Sequence, residues 1–137
     1  MPTTNVRWVR EKQFVGTDSY GHAVLLSGNE QAGGVRPSQM LLIALSACTA
    51  YDVVEILSKK RKKLTLLEVS ATGEHAPEPP SAFQTIHLKY RLAGEDLTDK
   101  AVSQAIRLSE EKYCSVAATV RGVAKITTEY KIVADAS

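Results

Sequence analysis

The stretch "PSQMLLIALSACTAY", residues 37–51, carries no charged side chain. Pro37 suits the first turn of a helix, and Ser38 is a possible cap. A helix beginning there is predicted to continue to about Lys60, through "DVVEILSKK". Its first half offers no polar stripe to solvent, so it should be buried on every side. The whole chain has 137 residues. That length predicts one domain, 1–137, with one core. A domain of this size rarely encloses a helix by itself. The helix therefore implies either a partner chain, or a sheet on one side and another helix on the other.

The uncharged apolar run from Met40 to Tyr51 is shorter than the roughly 20 residues that span a bilayer, so no membrane segment is expected. The start, "MPTTNVRWVR", shows no apolar stretch of the secretory kind. These readings predict a cytoplasmic protein, where thiols are kept reduced. Net charge is +2, too weak to point to nucleic acid or a membrane surface. The "KKRKK" run at 59–63 is read as a solvated helix end that complements the macrodipole.

Around the helix the patterns alternate. Residues 5–15, "NVRWVREKQFV", read as one strand with Val6, Trp8 and Phe14 on a face that Arg10 and Lys12 interrupt, by a bulge or by charges aimed at a site or partner. "TDSYGH" is a turn and "AVLLSG" a second strand. "GNEQAGGVR" is expected to be a flexible loop, and its "AGG" is no phosphate-binding motif. "LTLLEVSATGEH" places Leu67, Val69 and Ala71 on one face, and "APEPPS" is a turn. "FQTIHLKYRLAG" points Ile86, Leu88, Tyr90 and Leu92 inward and His87, Lys89 and Arg91 outward. Thr98 caps a helix whose apolar stripe is Ala101, Val102, Ala105 and Ile106. "SVAATVRG" is a short helix ending at Gly122, and "AKITTEYKIV" the last strand. The order is β-β-α-β-β-α-α-β, an α+β fold.

His22, His75 and His87 are too scattered for a metal site, and no serine-nucleophile elbow occurs. The candidates for chemistry are the two cysteines. Cys114 falls where one helix gives way to the next, and a thiol at a helix N-terminus is favoured as thiolate. Cys48 lies well inside the long helix, beyond reach of its dipole, with Asp52 one turn later to push its pKa up. On residues alone, two inert core thiols are the stronger reading.

The segments "RPSQMLLIALSACTAYDVVEIL" and "LSEEKYCSVAATV", with the cysteines 66 positions apart, resemble the OsmC/Ohr family of hydroperoxide-reducing proteins, its YhfA-like branch in particular. The resemblance covers nearly the whole chain. It implies an intertwined homodimer with two long central helices wrapped by sheets. It implies that Cys48 attacks an organic hydroperoxide and becomes a sulfenic acid. Cys114 then resolves it as a disulfide, which a dithiol reduces. No cofactor is implied. The family's activating arginine is expected in "TDSYGH", where Ser19 and Tyr20 stand instead. Its acidic partner is expected in "PSQM", which has Ser38 and Gln39. Ser115 replaces the proline that commonly follows the second cysteine. Arg7 or Arg10 of the first strand would have to supply the cation, with Gln39 in support. The alternative is a non-enzymatic dimer of the same fold that binds an apolar ligand, its cysteines structural or redox-sensing.

Overall fold

The computed structural model describes residues 1–28 and 33–134. Part of the predicted flexible loop, Asn29 to Ala32, lies outside the described residues. The chain divides into two compact units, Met1–Leu41 and Leu42–Ser137.

The first unit is a three-stranded antiparallel sheet of β1 (Asn5–Arg10), β2 (Gln13–Thr17) and β3 (Ala23–Ser27), in that order. The single strand expected over 5–15 is thus a hairpin. The chain reverses at Glu11, whose φ of 45° lies in the left-handed region. The Trp8 indole N–H donates to the Glu11 carbonyl at 2.7 Å and holds the turn. Trp8 pairs with Phe14 across the strands, and a register shift between Trp8 and Arg10 marks a bulge. The "TDSYGH" segment is a turn built on Asp18. Its carboxylate accepts from the backbone N–H groups of Tyr20 and His22 at 2.8 and 2.9 Å, the self-bonding that suits aspartate to turns. Gly21 there takes a φ of 86°, which costs glycine little.

Helix α1 runs from Pro37 to Lys59. It is long and apolar enough to cross a membrane by length and composition, although the Met40–Tyr51 run alone is not. One of its faces is committed to protein instead. Leu45, Thr49, Val53 and Leu57, spaced by four, are fully buried. Within one chain it is not buried all round as the sequence suggested: Ile43 and Val54 are each 48% exposed and Tyr51 is 70% exposed.

The second unit holds a sheet in the order β4 (Lys63–His75), β5 (Phe83–Glu95), β6 (Lys125–Ile132). β4 and β5 are antiparallel, and β5 and β6 parallel. A parallel neighbour requires a crossover. It is supplied by α2 (Asp99–Leu108), a π turn (Ser109–Tyr113) and α3 (Ser115–Val120). The Thr98 hydroxyl caps α2 by accepting from the Ala101 N–H at 3.1 Å. The expected stripe of Ala101, Val102, Ala105 and Ile106 is its buried face.

β5 is the central strand. Ile86, Leu88, Tyr90 and Leu92 have no exposure, as the alternation predicted, and join Leu45, Val53 and Leu57 of α1 and Val102 of α2 in one core. Each such aliphatic side chain contributes about 1.5–3 kcal/mol by leaving water. The α+β class is as read. The element order gains one strand before the long helix and one π turn after α2.

Candidate functional site

Cys48 projects from the middle of α1 and is half-buried, while Cys114 is 2% exposed. The π turn delivers Cys114 to this place. Its backbone N–H donates to the Ser109 carbonyl, five residues back, at 2.7 Å, and α3 begins at the next residue. The two thiols stand within hydrogen-bonding reach of each other, and neither is in a disulfide. Residues 66 apart in sequence therefore share one site.

Cys114 is the N-cap of α3, as its sequence position suggested, and its Sγ accepts from the Ala117 N–H at 3.3 Å. The electrical consequence is the reverse of the one expected. Burial disfavours the thiolate most strongly, and the hydrogen bond with Cys48 adds to it. The N–H groups of Ala117 and Val116 pull the other way without prevailing. The Cys114 thiol is pushed up to about 11.

Asp52, read as a neighbour that would act on Cys48, is engaged elsewhere. Its carboxylate accepts from the Ser109 hydroxyl at 2.9 Å. Ser109 is fully buried, and its oxygen also lies 3.2 Å from the Thr49 carbonyl. The first residue of the π turn is thereby tied to α1, which fixes the turn beside the helix that carries Cys48.

Three residues that sequence reasoning left out lie next to the cysteines or to one another. Tyr90, buried in β5, donates its hydroxyl proton to Glu110 Oε1 at 3.2 Å. Burial raises the phenol above its usual range. The Thr49 hydroxyl opposes that rise, and the negative charges of Glu110 and an ionised Cys114 reinforce it. Glu110 is half-buried. Burial raises its pKa, while Tyr90 and the Arg121 guanidinium lower it. Arg121 Nη2 also donates to the Glu110 backbone carbonyl at 2.9 Å. One signal was available for Tyr90: an inward-facing tyrosine needs a partner for its hydroxyl. "SEEKY" carried none for Glu110.

Arg7, Arg10 and Gln39 belong to the first unit. Arg7 and Arg10 are exposed on β1, opposite Val15 and Gln13, and Gln39 is exposed in the first turn of α1. Ser19 bonds through its hydroxyl to both the N–H and the carbonyl of Thr3, and Tyr20 is exposed. The histidines have separate neighbours. His22 meets Asp18, His75 meets the Ser81 carbonyl, and His87 meets Thr127 and Glu129. Among the described residues no group of three or more metal-binding side chains gathers.

The family profile described as OsmC-like protein matches residues 28–129. The chain belongs to the OsmC-like family. Protein YhfA of Escherichia coli K12 is 41% identical to it over 129 residues, which cover 94% of this chain and 96% of that protein. In fold, the OsmC-like protein from Mycoplasma pneumoniae superposes with a TM-score of 0.85 at 17% identity, covering 97% of each chain. The organic hydroperoxide resistance protein OhrB of Bacillus subtilis superposes with a TM-score of 0.64 at 14% identity, covering 96% of this chain and 98% of that one. The fold is thus that of OsmC and Ohr proteins. YhfA carries no activity in its name.

Proposed function

We propose that this protein reduces organic hydroperoxides with Cys48 as the peroxidatic thiol and Cys114 as the resolving one. The observation that carries the reading is the contact between a half-exposed and a buried thiol from distant parts of the chain. Membership of a family whose fold includes a hydroperoxide resistance protein supports it. The Cys48 thiolate attacks one peroxide oxygen, the O–O bond breaks, and the alkoxide leaves as an alcohol after taking a proton. Cys48 becomes a sulfenic acid. Cys114 displaces the hydroxyl as water and closes the disulfide, which an external dithiol reduces. Every electron moves between sulfur and oxygen, so the cycle needs no cofactor.

The roles divide along exposure. Cys48 can meet a substrate. Cys114, held as a thiol at neutral pH, does not compete for peroxide. The cation that would assist Cys48 is assigned to Arg7 or Arg10, with Gln39 in support. A second copy of the chain is assigned to the exposed apolar face of α1 at Ile43, Tyr51 and Val54.

Peroxide consumption with a dithiol reductant tests the cycle. Cys48→Ser is expected to abolish turnover. Cys114→Ser should leave one round of oxidation, trapped as sulfenic acid or an over-oxidised form. Turnover that survives Cys48→Ser refutes the assignment and favours the ligand-binding alternative. Arg7→Ala or Arg10→Ala should lower activity, and sedimentation at micromolar concentration should show a dimer. A folded monomer there would refute the second copy.

A further inference from the structure

The buried stripe of α2 runs through Ala101, Val102, Ala105 and Ile106. The next position on that stripe, three and four residues further on, is 109. The pattern calls for an apolar side chain there, yet a serine stands at it with no exposure. Its hydroxyl oxygen lies 2.9 Å from Asp52 Oδ2 and 3.2 Å from the Thr49 carbonyl, so one proton is shared between two acceptors on α1. Thr49 directly follows Cys48 in the chain, and Asp52 lies one helical turn beyond Cys48.

The hold on Ser109 is passed to the second cysteine. The Cys114 N–H donates to the Ser109 carbonyl at 2.7 Å. Two hydrogen bonds therefore connect the backbone that carries Cys114 to the residue next to Cys48. Beyond Cys114 the segment closes on itself. Arg121, at the end of α3, donates to the Glu110 carbonyl at 2.9 Å, and Cys114 Sγ accepts from the Ala117 N–H at 3.3 Å. The π turn and α3 thus form a braced arm, and Ser109 anchors it to the helix that carries Cys48.

We infer that Ser109, held by Asp52, is a positioning residue for disulfide closure, fixing the place from which Cys114 approaches Cys48. The role rests on the peroxidatic reading. In that cycle the Cys114 sulfur bonds to the Cys48 sulfur, the S–O bond of the sulfenic acid breaks, and the Cys114 proton leaves with the hydroxyl as water. Neither Ser109 nor Asp52 gains or loses a bond in the step. Their effect is on its geometry, where a displacement of about 1 Å can cost on the order of a hundredfold in rate.

Closure can be followed without peroxide. Dithionitrobenzoate mixed rapidly with the reduced protein loads Cys48 and releases one coloured thiolate. Cys114 then attacks the mixed disulfide and releases a second. Cys114→Ser should abolish the second release, which assigns it. Ser109→Ala should slow the second release about tenfold or more and leave the first unchanged. Asp52→Asn keeps an oxygen that can accept from Ser109, and should close at nearly the native rate. Asp52→Leu removes the acceptor and should close as slowly as Ser109→Ala. A general loosening of the fold would move both releases and would not be rescued by asparagine. Native second release in Ser109→Ala, or equal slowing of both releases, would overturn the positioning role. If Ser109→Ala misfolds by circular dichroism, the Asp52 pair decides, because equal closure rates in Asp52→Asn and Asp52→Leu overturn it. Peroxide consumption by the native protein is measured separately. Its absence alongside a normal second release refutes the peroxidatic reading and not the geometry.

Discussion

Cys114 is the place where the physics of the site can be measured most directly. Its thiol is pushed up to about 11 by burial and by Cys48, so about one in ten thousand is ionised at pH 7, against roughly one in thirty for a free cysteine of pKa about 8.5. On ionisation alone, alkylation should be about 300-fold slower than for an ordinary thiol, because only the thiolate reacts. The slope is more diagnostic than the absolute rate, since burial slows access as well. Between pH 7 and pH 10 the rate at Cys114 should rise about 900-fold, while that of an ordinary thiol rises only about 30-fold and levels off. Pulses of iodoacetamide on the reduced native protein, followed by mass spectrometry of the Cys114 peptide, give the profile. Low urea concentrations should leave it unchanged, which separates reaction in the native state from local opening. A plateau reached below pH 8 in the native state would refute the reasoning. It would mean that the α3 N-terminus outweighs burial, and that Cys114 is the ready nucleophile.

Other expectations test the supports of the site. Ser109→Ala leaves the Asp52 carboxylate without its hydroxyl donor, and should cost about 1–3 kcal/mol in urea denaturation; a loss under about 0.5 kcal/mol would show that this tie is dispensable. Gly94→Ala drives a methyl group into the Lys63 carbonyl beside the β4 bulge, and should destabilise by about 1–3 kcal/mol in the same assay. Burial raises the pKa of Glu110, so its contribution to stability is fully present below the ordinary carboxyl value and is lost as pH rises through the raised one. Glu110→Gln mimics the protonated acid, so its melting temperature should match the native one near pH 5 and exceed it at pH 8; a variant less stable at pH 8 would contradict the sign.

The strands and α2 were legible because their patterns are local. The β5 alternation and the Thr98 cap each need only a short window, and both are as read. The hairpin inside residues 5–15 was hidden because Glu11 and Lys12 carry no turn signal. The fold puts Glu11 in a left-handed conformation that glycine or asparagine usually occupies. The exposure of α1 escaped for another reason: how much of a uniformly apolar helix one chain covers depends on the packing of distant strands. The π turn was equally silent, since one residue of slippage in "SEEKY" changes no periodicity that a short segment could display.

The pairing of Cys48 with Cys114 came from family resemblance, since 66 residues of separation leave no periodic trace. The electrical error at Cys114 has a definite physical source. A helix N-terminus is visible in sequence, whereas desolvation is a property of everything packed around the sulfur. Here that is a core assembled from α1, β5 and α2. The same burial that makes Cys114 a poor nucleophile at rest keeps it from being consumed by oxidants. In the proposed cycle that protection lasts until Cys48 is oxidised and Cys114 attacks it. The Tyr90–Glu110 hydrogen bond was just as silent in the sequence, because it joins a strand to a turn 20 residues further on.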